Sequence, residues 1–283
     1  MAKQTIIGID LGGTKVSVGA VAGGEVLRTA RRDVPSTETA EVVLASIMDT
    51  LGEVFDSSVV GIGCGVPSVV DVAEGVVFDV ENIPSWREVH LKAALEDHFG
   101  VPAAVNNDAN AFAVGEHVFG KGRGLRNLVG MTLGTGLGAG VIVEGRLYNG
   151  INCGAGEIGM MAYKGLTLED HCSGPFFPRE YGLAGEVLFD RACEGNAQAL
   201  VAFERFGREL ADAVMIALYA YDPEAVILGG SISSAFEYFE TGLREGLRTF
   251  AYPHVVERLL IARSELENAA VLGAAALYVD AAG

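Results

Sequence analysis

The chain has 283 residues, of which 50% are hydrophobic and 20% charged, and its mean hydropathy is +0.33. This apolar composition excludes a disordered or collagen-like chain, and the length predicts about two domains of roughly 150 residues each. The net charge of −17 makes nucleic acid and anionic membrane surfaces unfavourable partners, because both are negatively charged.

Sequence signals for export and for membrane insertion are missing. No apolar run reaches the roughly 20 residues that a membrane-spanning helix requires. The first residues, MAKQTIIGIDLGGTK, lack the basic and apolar regions of a secretory signal. The four cysteines are scattered singly, without a C-x-x-C pair. We therefore expect a cytoplasmic protein whose cysteines are reduced.

The first half of the chain alternates strand and helix patterns. β-Branched and apolar residues predict three antiparallel strands, over residues 5–10, 15–21 and 25–34. Alternating elements follow, namely a helix over 38–55, a strand over 59–64, a helix over 85–99 and a strand over 101–105. The alternation predicts parallel strands beside the antiparallel ones, and hence an α/β layer with a mixed sheet.

A glycine-rich stretch at 120–124 marks a candidate domain boundary. The pattern restarts there with two strands, over 128–133 and 138–143. Later elements are helices over 183–193 and 197–221, a strand over 226–228 and a helix over 269–279. We expect an N-terminal α/β domain over 1–120, completed by the C-terminal helix 268–283, and a C-terminal α/β domain over 121–267.

The turn Asp10-Leu11-Gly12-Gly13-Thr14-Lys15 follows the first strand and is a candidate phosphate site. Two adjacent glycines let the backbone approach a ligand and expose N–H groups and the Thr14 hydroxyl to an anion. The Asp10 carboxylate could orient a hydrated Mg²⁺ carried by a nucleotide. An ordinary hairpin turn explains the two glycines equally well.

A second glycine-rich turn, Gly134-Thr135-Gly136-Leu137-Gly138, also lies between two predicted strands and supplies another candidate phosphate cradle. A dinucleotide-binding fingerprint would open a helix at this point, whereas the following residues look extended. The P-loop string is also missing from the sequence. After the buried strand near 226–228, Gly229 and Gly230 either admit the face of a nucleoside or form a plain strand-to-helix turn.

Candidate acid–base and sugar-binding groups follow other strands. Asp108 either caps a helix or acts as a solvated base that accepts a hydroxyl proton, with the Asn107 amide holding the substrate. Glu157 and Glu180 form a candidate carboxylate pair for the vicinal hydroxyls of a polyol, although single glutamates are usually surface residues. Gly65, in a Gly-Cys-Gly-Val-Pro bend, either floors a pocket or forms a turn.

In this order the motifs resemble the ROK family of bacterial sugar kinases and repressors, over the whole chain. The matching segments are Asp10–Lys15 (DxGGTK), Asn107-Asp108 (ND), Leu133–Gly136 (LGTG), Gly156-Glu157 (GE) and Leu228–Ile232 (LGGSI). The resemblance implies a two-domain hexokinase- and actin-like (RNase H-like) ATPase fold with mixed β-sheets. It also implies an active site in the cleft between the domains and a homodimer.

The implied reaction is the transfer of a phosphoryl group from ATP, with Mg²⁺, to a hexose hydroxyl, most often the 6-hydroxyl of glucose. Asp108 is the implied general base. The implied sugar-binding residues are Gly65, Asn82, Asn107, Asp108, Glu157 and Glu180. The implied nucleotide-binding residues are Asp10, Gly12, Gly13, Thr14, Lys15, Gly134, Thr135, Gly136, Gly229 and Gly230. Asp10 would meet Mg²⁺ through water.

The sequence departs from the family at its usual zinc site, which consists of one histidine and three cysteines. Met160 stands at the histidine position, and the cysteine positions are occupied by His171, Ser173 and Pro178. Since a tetrahedral zinc site needs four nitrogen or sulfur donors, we predict no structural zinc. Phe176, Phe177 and Pro178 would replace the metal by hydrophobic packing. The lost histidine touches the sugar in relatives, so the hexose stays open.

Three alternatives stay open at this stage. The enzyme could phosphorylate mannose, fructose, allose or an N-acetyl amino sugar, and it could use polyphosphate as the donor. A non-catalytic sugar sensor or regulator is the alternative of a different class. A repressor would need a DNA-binding helix-turn-helix before the kinase-like body, and only nine residues precede Asp10.

Overall fold

The computed structural model describes residues 4–151 and 153–282, in two compact units. The first unit comprises Met1–Gly124, Arg146–Ala155 and Glu265–Gly283, and the second comprises Leu125–Gly145 and Gly156–Ser264. Residues 1–3 and 283, the ends of the predicted N-terminal domain, lie outside the described residues, as does residue 152.

The strands, in chain order, are β1 (Thr5–Leu11), β2 (Lys15–Ala22), β3 (Glu25–Asp33), β4 (Val59–Val66), β5 (Val69–Asp71), β6 (Val76–Phe78), β7 (Glu88–His90), β8 (Ala103–Asn107), β9 (Leu128–Leu133), β10 (Leu137–Val143), β11 (Arg146–Leu147), β12 (Ala162–Tyr163), β13 (Leu166–Thr167), β14 (Ala225–Gly229) and β15 (Leu260–Arg263). The α-helices are α1 (Ala40–Gly52), α2 (Leu91–Phe99), α3 (Asp108–Val118), α4 (Leu168–Cys172), α5 (Phe176–Tyr181), α6 (Gly185–Cys193), α7 (Ala197–Tyr221), α8 (Phe236–Leu247), α9 (Pro253–Arg258) and α10 (Ala269–Ala282). Two short 3₁₀ helices span Ile158–Met160 and Ser231–Ala235.

The first unit is built on a mixed sheet of five strands in the order β3-β2-β1-β4-β8. The first three strands pair antiparallel, and β4 pairs parallel with both β1 and β8. A separate antiparallel sheet has the order β5-β6-β7. Apolar residues of β1, β2, β4, α1 and α2 form the core, together with the fully buried Trp86. The mixed α/β sheet predicted from the sequence is confirmed.

Helix α10 lies directly on this sheet, because glycines on β1 and β4 leave room for its backbone. A Cβ atom at Gly8 would lie 2.0 Å from the Val271 carbonyl oxygen, and one at Gly63 would lie 1.8 Å from that of Ala274. The Tyr278 hydroxyl donates a hydrogen bond to the carbonyl oxygen of Val60 at 3.1 Å. The end of the chain therefore belongs to the core of the first unit.

The second unit contains a sheet in which β10, β9, β14 and β15 are neighbours in that order. β9 and β10 pair antiparallel, whereas β14 pairs parallel with β9 and with β15. Its core includes a group of fully or almost fully buried aromatic rings, namely Phe176, Phe177, Phe203, Phe206 and Phe239. The predicted bounds of α7 agree with those observed.

Two details of the sequence prediction are wrong. The predicted helix over 85–99 begins only at Leu91, because the preceding residues form a tight turn, closed by Trp86 N–H to Ile83 O at 2.8 Å, and then β7. Residues 146–155 were assigned to the C-terminal domain but lie in the first unit. There the Leu147 N–H donates to the Asp280 carboxylate at 3.4 Å, and Asn106 donates to the Asn149 side chain at 2.8 Å.

Two further expectations from the sequence concern the state of the cysteines and membrane-spanning helices. Cys64, Cys153, Cys172 and Cys193 are all free thiols, and the first three are buried. Among the helices of residues 4–151 and 153–282, none has the length and apolar character needed to cross a bilayer.

Candidate active site

Three parallel strands of the first unit bring polar candidates to one edge of the sheet. Asp10 on β1 pairs with Gly65 on β4, and Gly65 pairs with Asn106 on β8. Asn107, the next residue, ends β8. Since the carboxyl ends of parallel strands form the usual ligand-binding edge of an α/β sheet, Asp10, Gly65 and Asn107 share the place where a substrate would bind.

Asp108 is the first residue of α3, and the cap of that helix is Asn107. The Asn107 side-chain oxygen accepts hydrogen bonds from the backbone N–H groups of Ala109 and Asn110, at 2.8 and 3.3 Å. The sequence analysis placed Asp108 at the cap position of this helix, whereas the cap is Asn107, one residue earlier in the chain. Because Asn107 caps the helix, the Asp108 carboxylate is not needed for that purpose, although one of its oxygens accepts a hydrogen bond from Ala109 N–H at 2.8 Å.

The Asp108 carboxyl is accessible but poorly hydrated. Its side chain is exposed, yet desolvation by the surrounding protein raises its pKa to about 6. The carboxylate of Asp10 adds to this rise, and the hydrogen bond from Ala109 N–H opposes it. The sequence analysis required only a solvated carboxylate, and the raised pKa is a feature that it did not predict. A pKa near 6 leaves the group ionised at neutral pH and makes it a stronger base than a free aspartate.

The first candidate phosphate loop is a tight turn that contacts Asn82. Gly12 N–H donates to the Lys15 carbonyl oxygen at 2.8 Å, while Thr14 and Lys15 are exposed. A Cβ atom at Gly13 would lie 2.4 Å from the Cβ of Asn82, so Gly13 permits this close contact. Burial raises the pKa of the half-buried Asp10, and Arg31 partly opposes the rise.

The second candidate phosphate loop lies in the second unit, between β9 and β10. Gly134 N–H donates to the Gly136 carbonyl oxygen at 3.0 Å and closes the loop. Gly230 follows the neighbouring strand β14 with a φ of +79°, and a Cβ atom there would lie 2.3 Å from the Leu133 carbonyl oxygen. Glycine is therefore required at position 230, both by the backbone conformation and by the close approach to β9.

A cavity of about 320 Å³ opens beside this second loop. Its lining combines Gly134 and Thr135 of the loop with Ser231 and Ile232, which follow Gly230. Its walls include the aromatic rings of Phe177, Phe189 and Phe203. A mostly apolar cavity with flat rings next to a phosphate loop fits the base and ribose of a nucleotide.

The sequence analysis did not identify the aromatic rings of this cavity. Phe189 and Phe203 lie on α6 and α7, far along the chain from the glycine motifs. Their helical spacing indicates a buried face but does not show which part of that face borders a cavity.

The two carboxylates proposed for sugar binding have different surroundings. Glu157 is exposed and follows Gly156, where a Cβ atom would lie 2.1 Å from the Ala139 carbonyl oxygen. Glu180 forms ion pairs with Arg179 at 3.1 Å and Arg205 at 2.5 Å. These guanidinium groups, Arg179 first, lower the pKa of Glu180. Glu180 would have to leave an ion pair in order to bind a hydroxyl.

The side chains at the family's zinc positions, and the neighbouring Cys172, do not fit a zinc ion. His171 Nδ1 lies 3.2 Å from the Arg179 guanidinium, and the buried Cys172 thiol donates to the Glu209 carbonyl oxygen at 3.3 Å. Burial raises the pKa of that thiol, which opposes the thiolate a zinc ion needs. Met160 is 64% exposed, and its thioether is a poor zinc ligand. Within the described ranges, no three metal-ligating side chains lie together.

Comparison of this chain with known proteins identifies its family. A family model described as "ROK family" matches residues 6–281. The chain belongs to the ROK family. Its similarity to the glucokinase of Thermotoga maritima is 36% identity, with 100% of both chains covered.

Other ROK proteins are similar in structure or in sequence. The crystal structure of a ROK family glucokinase from Streptomyces griseus, in complex with glucose and AMPPNP, superposes with a TM-score of 0.80 and 28% identity. That superposition covers 96% of this chain and 98% of the other. A xylose repressor of Bacillus subtilis is 27% identical over 78% of this chain and 61% of its own. The expected hexokinase- and actin-like ATPase fold is confirmed.

Proposed function

We propose that this protein transfers the terminal phosphoryl group of ATP to a hydroxyl of a hexose, with the 6-hydroxyl of glucose as the first candidate and Asp108 as the general base. The enzyme class rests on the comparisons: the chain is a sugar kinase of the ROK family. The observation that carries the rest is the accessible Asp108 carboxylate, with a pKa of about 6, at the carboxyl edge of a parallel sheet. Mg²⁺, a homodimer and a cytoplasmic location belong to the same proposal.

In the proposed complex, ATP supplies the phosphoryl group and this chain positions it. The base and ribose would occupy the cavity lined by Phe177, Phe189 and Phe203. Exposed backbone N–H groups of the two glycine loops would hold the phosphates. Asp10, at the tip of β1, would hold a water of the Mg²⁺ that accompanies ATP.

The sugar would be held by amide and carboxylate groups. Asn82 is exposed beside Gly13 of the first phosphate loop. The Asn107 oxygen caps α3, and its amide NH₂, which lies 3.5 Å from the Ser68 carbonyl oxygen, has a second N–H for a sugar hydroxyl. Glu157 is the carboxylate that we assign to vicinal hydroxyls, and Glu180 would join it by exchanging its arginine partners. Gly65 lies beside the start of α3, where a Cβ atom would lie 3.3 Å from the Ala111 Cβ and 3.6 Å from the Asp108 Cα.

The chemical step is one nucleophilic displacement at phosphorus. The sugar oxygen forms a bond to the γ-phosphorus, the bond between that phosphorus and the β,γ-bridging oxygen breaks, and ADP leaves. Asp108 accepts the hydroxyl proton as the new bond forms. Positioning and proton transfer are the contributions that phosphoryl transfer requires of the protein.

The cavity also distinguishes ATP from polyphosphate as the donor of the phosphoryl group. Polyphosphate has no base or ribose, so it would leave the aromatic cavity empty and would use only the phosphate loops. ATP would bury its adenosine there and gain the corresponding hydrophobic contacts. We therefore propose ATP as the preferred donor.

The test is a coupled ADP-release assay across glucose, mannose, fructose, allose and N-acetyl amino sugars, with sugar phosphate measured in parallel when polyphosphate is the donor. We expect turnover with at least one hexose and a higher kcat/KM with ATP than with polyphosphate. Failure to phosphorylate any of these sugars would contradict the proposed substrate class. A preference for polyphosphate would contradict the role of the cavity.

Two variants separate the proposed roles. Asp108→Ala is expected to lower kcat by about 10²- to 10⁴-fold, the usual cost of losing a general base, while sugar binding is retained. Glu157→Gln is expected to raise the KM for the sugar with a smaller effect on kcat. Glu194→Ala removes an exposed carboxylate and serves as the control. Equal changes of kcat and KM in the Asp108 and Glu157 variants would refute the assignments.

A further inference from the structure

A group of polar side chains is buried in the first unit, next to the strand end that leads to Asp108. Asn106 lies on β8, Asn110 lies on α3, and Asn149 and Cys153 follow β11. We call these four side chains the amide–thiol cluster. Asn106, Asn110 and Cys153 are each at most 4% exposed. Polar groups buried to this extent are normally held by hydrogen bonds.

The Asn106 side chain is the centre of the amide–thiol cluster. Its oxygen accepts hydrogen bonds from the Asn107 N–H at 2.8 Å, from the Asn110 amide at 2.9 Å and from the Cys153 thiol at 3.1 Å. Its own NH₂ group donates to the Asn149 side-chain oxygen at 2.8 Å. One side chain therefore joins the end of β8 to the first turn of α3 and to the chain near Cys153.

The orientation of the Asn110 amide supports this arrangement. Its carbonyl oxygen is buried and has no hydrogen-bond partner among residues 4–151 and 153–282. A buried oxygen without a partner costs free energy. The opposite orientation would place this oxygen against the Asn106 oxygen, which has no hydrogen to donate. The observed orientation is therefore the one in which Asn110 donates to Asn106.

Cys153 has a backbone conformation that favours glycine. Its φ is +55°, in the left-handed region that side chains other than glycine rarely adopt. Glycine would take this conformation without strain, but it would lack the thiol that donates to Asn106. A strained residue whose side chain is buried and hydrogen-bonded points to a role for that side chain.

The hydrogen bonds of Asn106 lie on both sides of Asp108 in the chain. The Asn107 N–H precedes Asp108, and Asn110 follows it within the same helical turn. A change in the Asn106 side chain would therefore shift the start of α3. A general base must come within about 3 Å of the proton that it accepts, so a small shift of the Asp108 carboxylate slows proton transfer.

We propose that Cys153 is a positioning residue for Asp108, because its thiol holds the Asn106 side chain, which in turn fixes the start of α3. The inference rests on the proposed function, in which Asp108 is the general base. A positioning role predicts that loss of the thiol lowers kcat and leaves the KM for ATP unchanged. A thiol that only fills space predicts an effect on stability alone.

The test compares three variants in the full chain. Cys153→Ser keeps a hydrogen donor, Cys153→Ala removes it, and Cys153→Gly removes it and also relieves the backbone strain. We expect kcat to fall about two- to tenfold in the alanine and glycine variants, the scale of one lost hydrogen bond, and to recover largely in the serine variant. Cys193→Ala, which removes an exposed thiol, is the control and should keep the wild-type kcat.

The glycine variant separates positioning from stability. Because glycine favours a φ of +55°, Cys153→Gly should melt at a temperature no lower than that of Cys153→Ala. A lower kcat without a lower melting temperature supports positioning. A wild-type kcat in Cys153→Gly would overturn it.

A double substitution tests whether the thiol acts through Asp108. In the Asp108→Ala background, Cys153→Gly should cause no further loss of kcat, because the group that it positions is already missing. If the two losses multiply, the thiol acts by another route and the proposal is wrong.

A further measurement is independent of turnover. Hydrogen exchange at the Asn107 amide, which donates to Asn106, should be slow in the wild type and in Cys153→Ser. It should be faster in Cys153→Ala and Cys153→Gly. Equal exchange in all four proteins would mean that the thiol does not hold Asn106, and it would overturn the proposal.

The failures of the two proposals give different results. If the wild type phosphorylates a hexose and Cys153→Gly does so with the same kcat, the positioning role is wrong while the kinase proposal stands. If the wild type phosphorylates none of the tested sugars, the proposed function fails, and the inference fails with it.

Discussion

At the scale of single residues, Asn107 and Asp108 have different surroundings, and this difference supports the different roles that we propose for them. Asn107 satisfies the first amides of α3, which leaves Asp108 at the helix start without a capping task. Desolvation and the Asp10 carboxylate then raise the pKa of Asp108 to about 6. A short motif at the end of one strand thus supplies the amide and the carboxylate for which we propose the roles of sugar binding and general base.

The raised pKa predicts how activity depends on pH. Asp108 accepts a proton only when it is ionised, so kcat/KM for the sugar should fall as the pH decreases through about 6. An aspartate with its ordinary pKa would keep activity down to about pH 4. The measurement is a pH profile at saturating ATP, with thermal melts at each pH to exclude unfolding. An acidic limb near pH 4 would contradict the raised pKa.

The sequence was sufficient to single out these polar side chains, but it did not predict their hydrogen bonds or their exposure to water. The sequence placed Asp10 and Asn107-Asp108 each at the end of a predicted strand, and the pairing of β1, β4 and β8 in the structure shows that these strand ends lie at one edge of the sheet. The identity of the cap depends on an offset of one residue, which the pattern Asn-Asn-Asp does not define. Hydration depends on residues distant in the chain, so the pKa of Asp108 required the structure.

At the scale of elements, helix α10 determines the composition of the strands beneath it. The glycines at positions 8 and 63 face the helix backbone and leave no space for a side chain. Small residues on the helix, including Ala274 and Ala275, complete the contact and are fully buried. This packing ties the C-terminal helix to the strands that end in Asp10 and Gly65.

A pair of glycine substitutions tests this packing. In Gly63→Ala the new Cβ atom would lie 1.8 Å from the Ala274 carbonyl oxygen, so the helix must shift, at a cost of about 1–3 kcal/mol in the free energy of unfolding. Gly52→Ala is the control, because nothing lies within 4 Å of a Cβ atom at the end of α1. Alanine favours a helix more than glycine does, so this variant should be neutral or slightly stabilised. Urea unfolding of both variants measures the difference, and equal midpoints would contradict the close packing.

Helices and strands with long, regular sequence patterns were predicted more accurately than short ones. Long patterns such as α7 and the antiparallel strands β1 to β3 were predicted close to their observed bounds. The strands β5, β6 and β7 have three residues each, which is too short for an alternating pattern to be recognised. Residues 85–90 were therefore assigned to the same helix as α2, although Trp86 is fully buried in a turn and the last three of these residues form β7.

At the scale of the whole molecule, we predict that aromatic packing stands where the resemblance to the family places a zinc site. The rings of Phe176 and Phe177 are fully buried, and each lies within 5.4 Å of the Phe206 ring, measured between centroids. The Arg179 and Arg205 guanidinium groups lie about 6 Å from the Phe176 ring. Pro178 is exposed and lines the cavity, so it contributes less to this packing than the sequence analysis expected.

If hydrophobic packing takes the place of zinc, the metal content and the effect of a core substitution are linked. Elemental analysis of the purified chain should find much less than one zinc per protein, and a chelator should leave the melting temperature unchanged. Phe176→Ala should lower the free energy of unfolding by about 3–5 kcal/mol, because it leaves a cavity among buried rings. Val201→Ala, at an exposed position of α7, is the control and should cost much less. One tightly held zinc together with a mild effect of Phe176→Ala would mean that a metal, and not the aromatic rings, stabilises this part of the second unit.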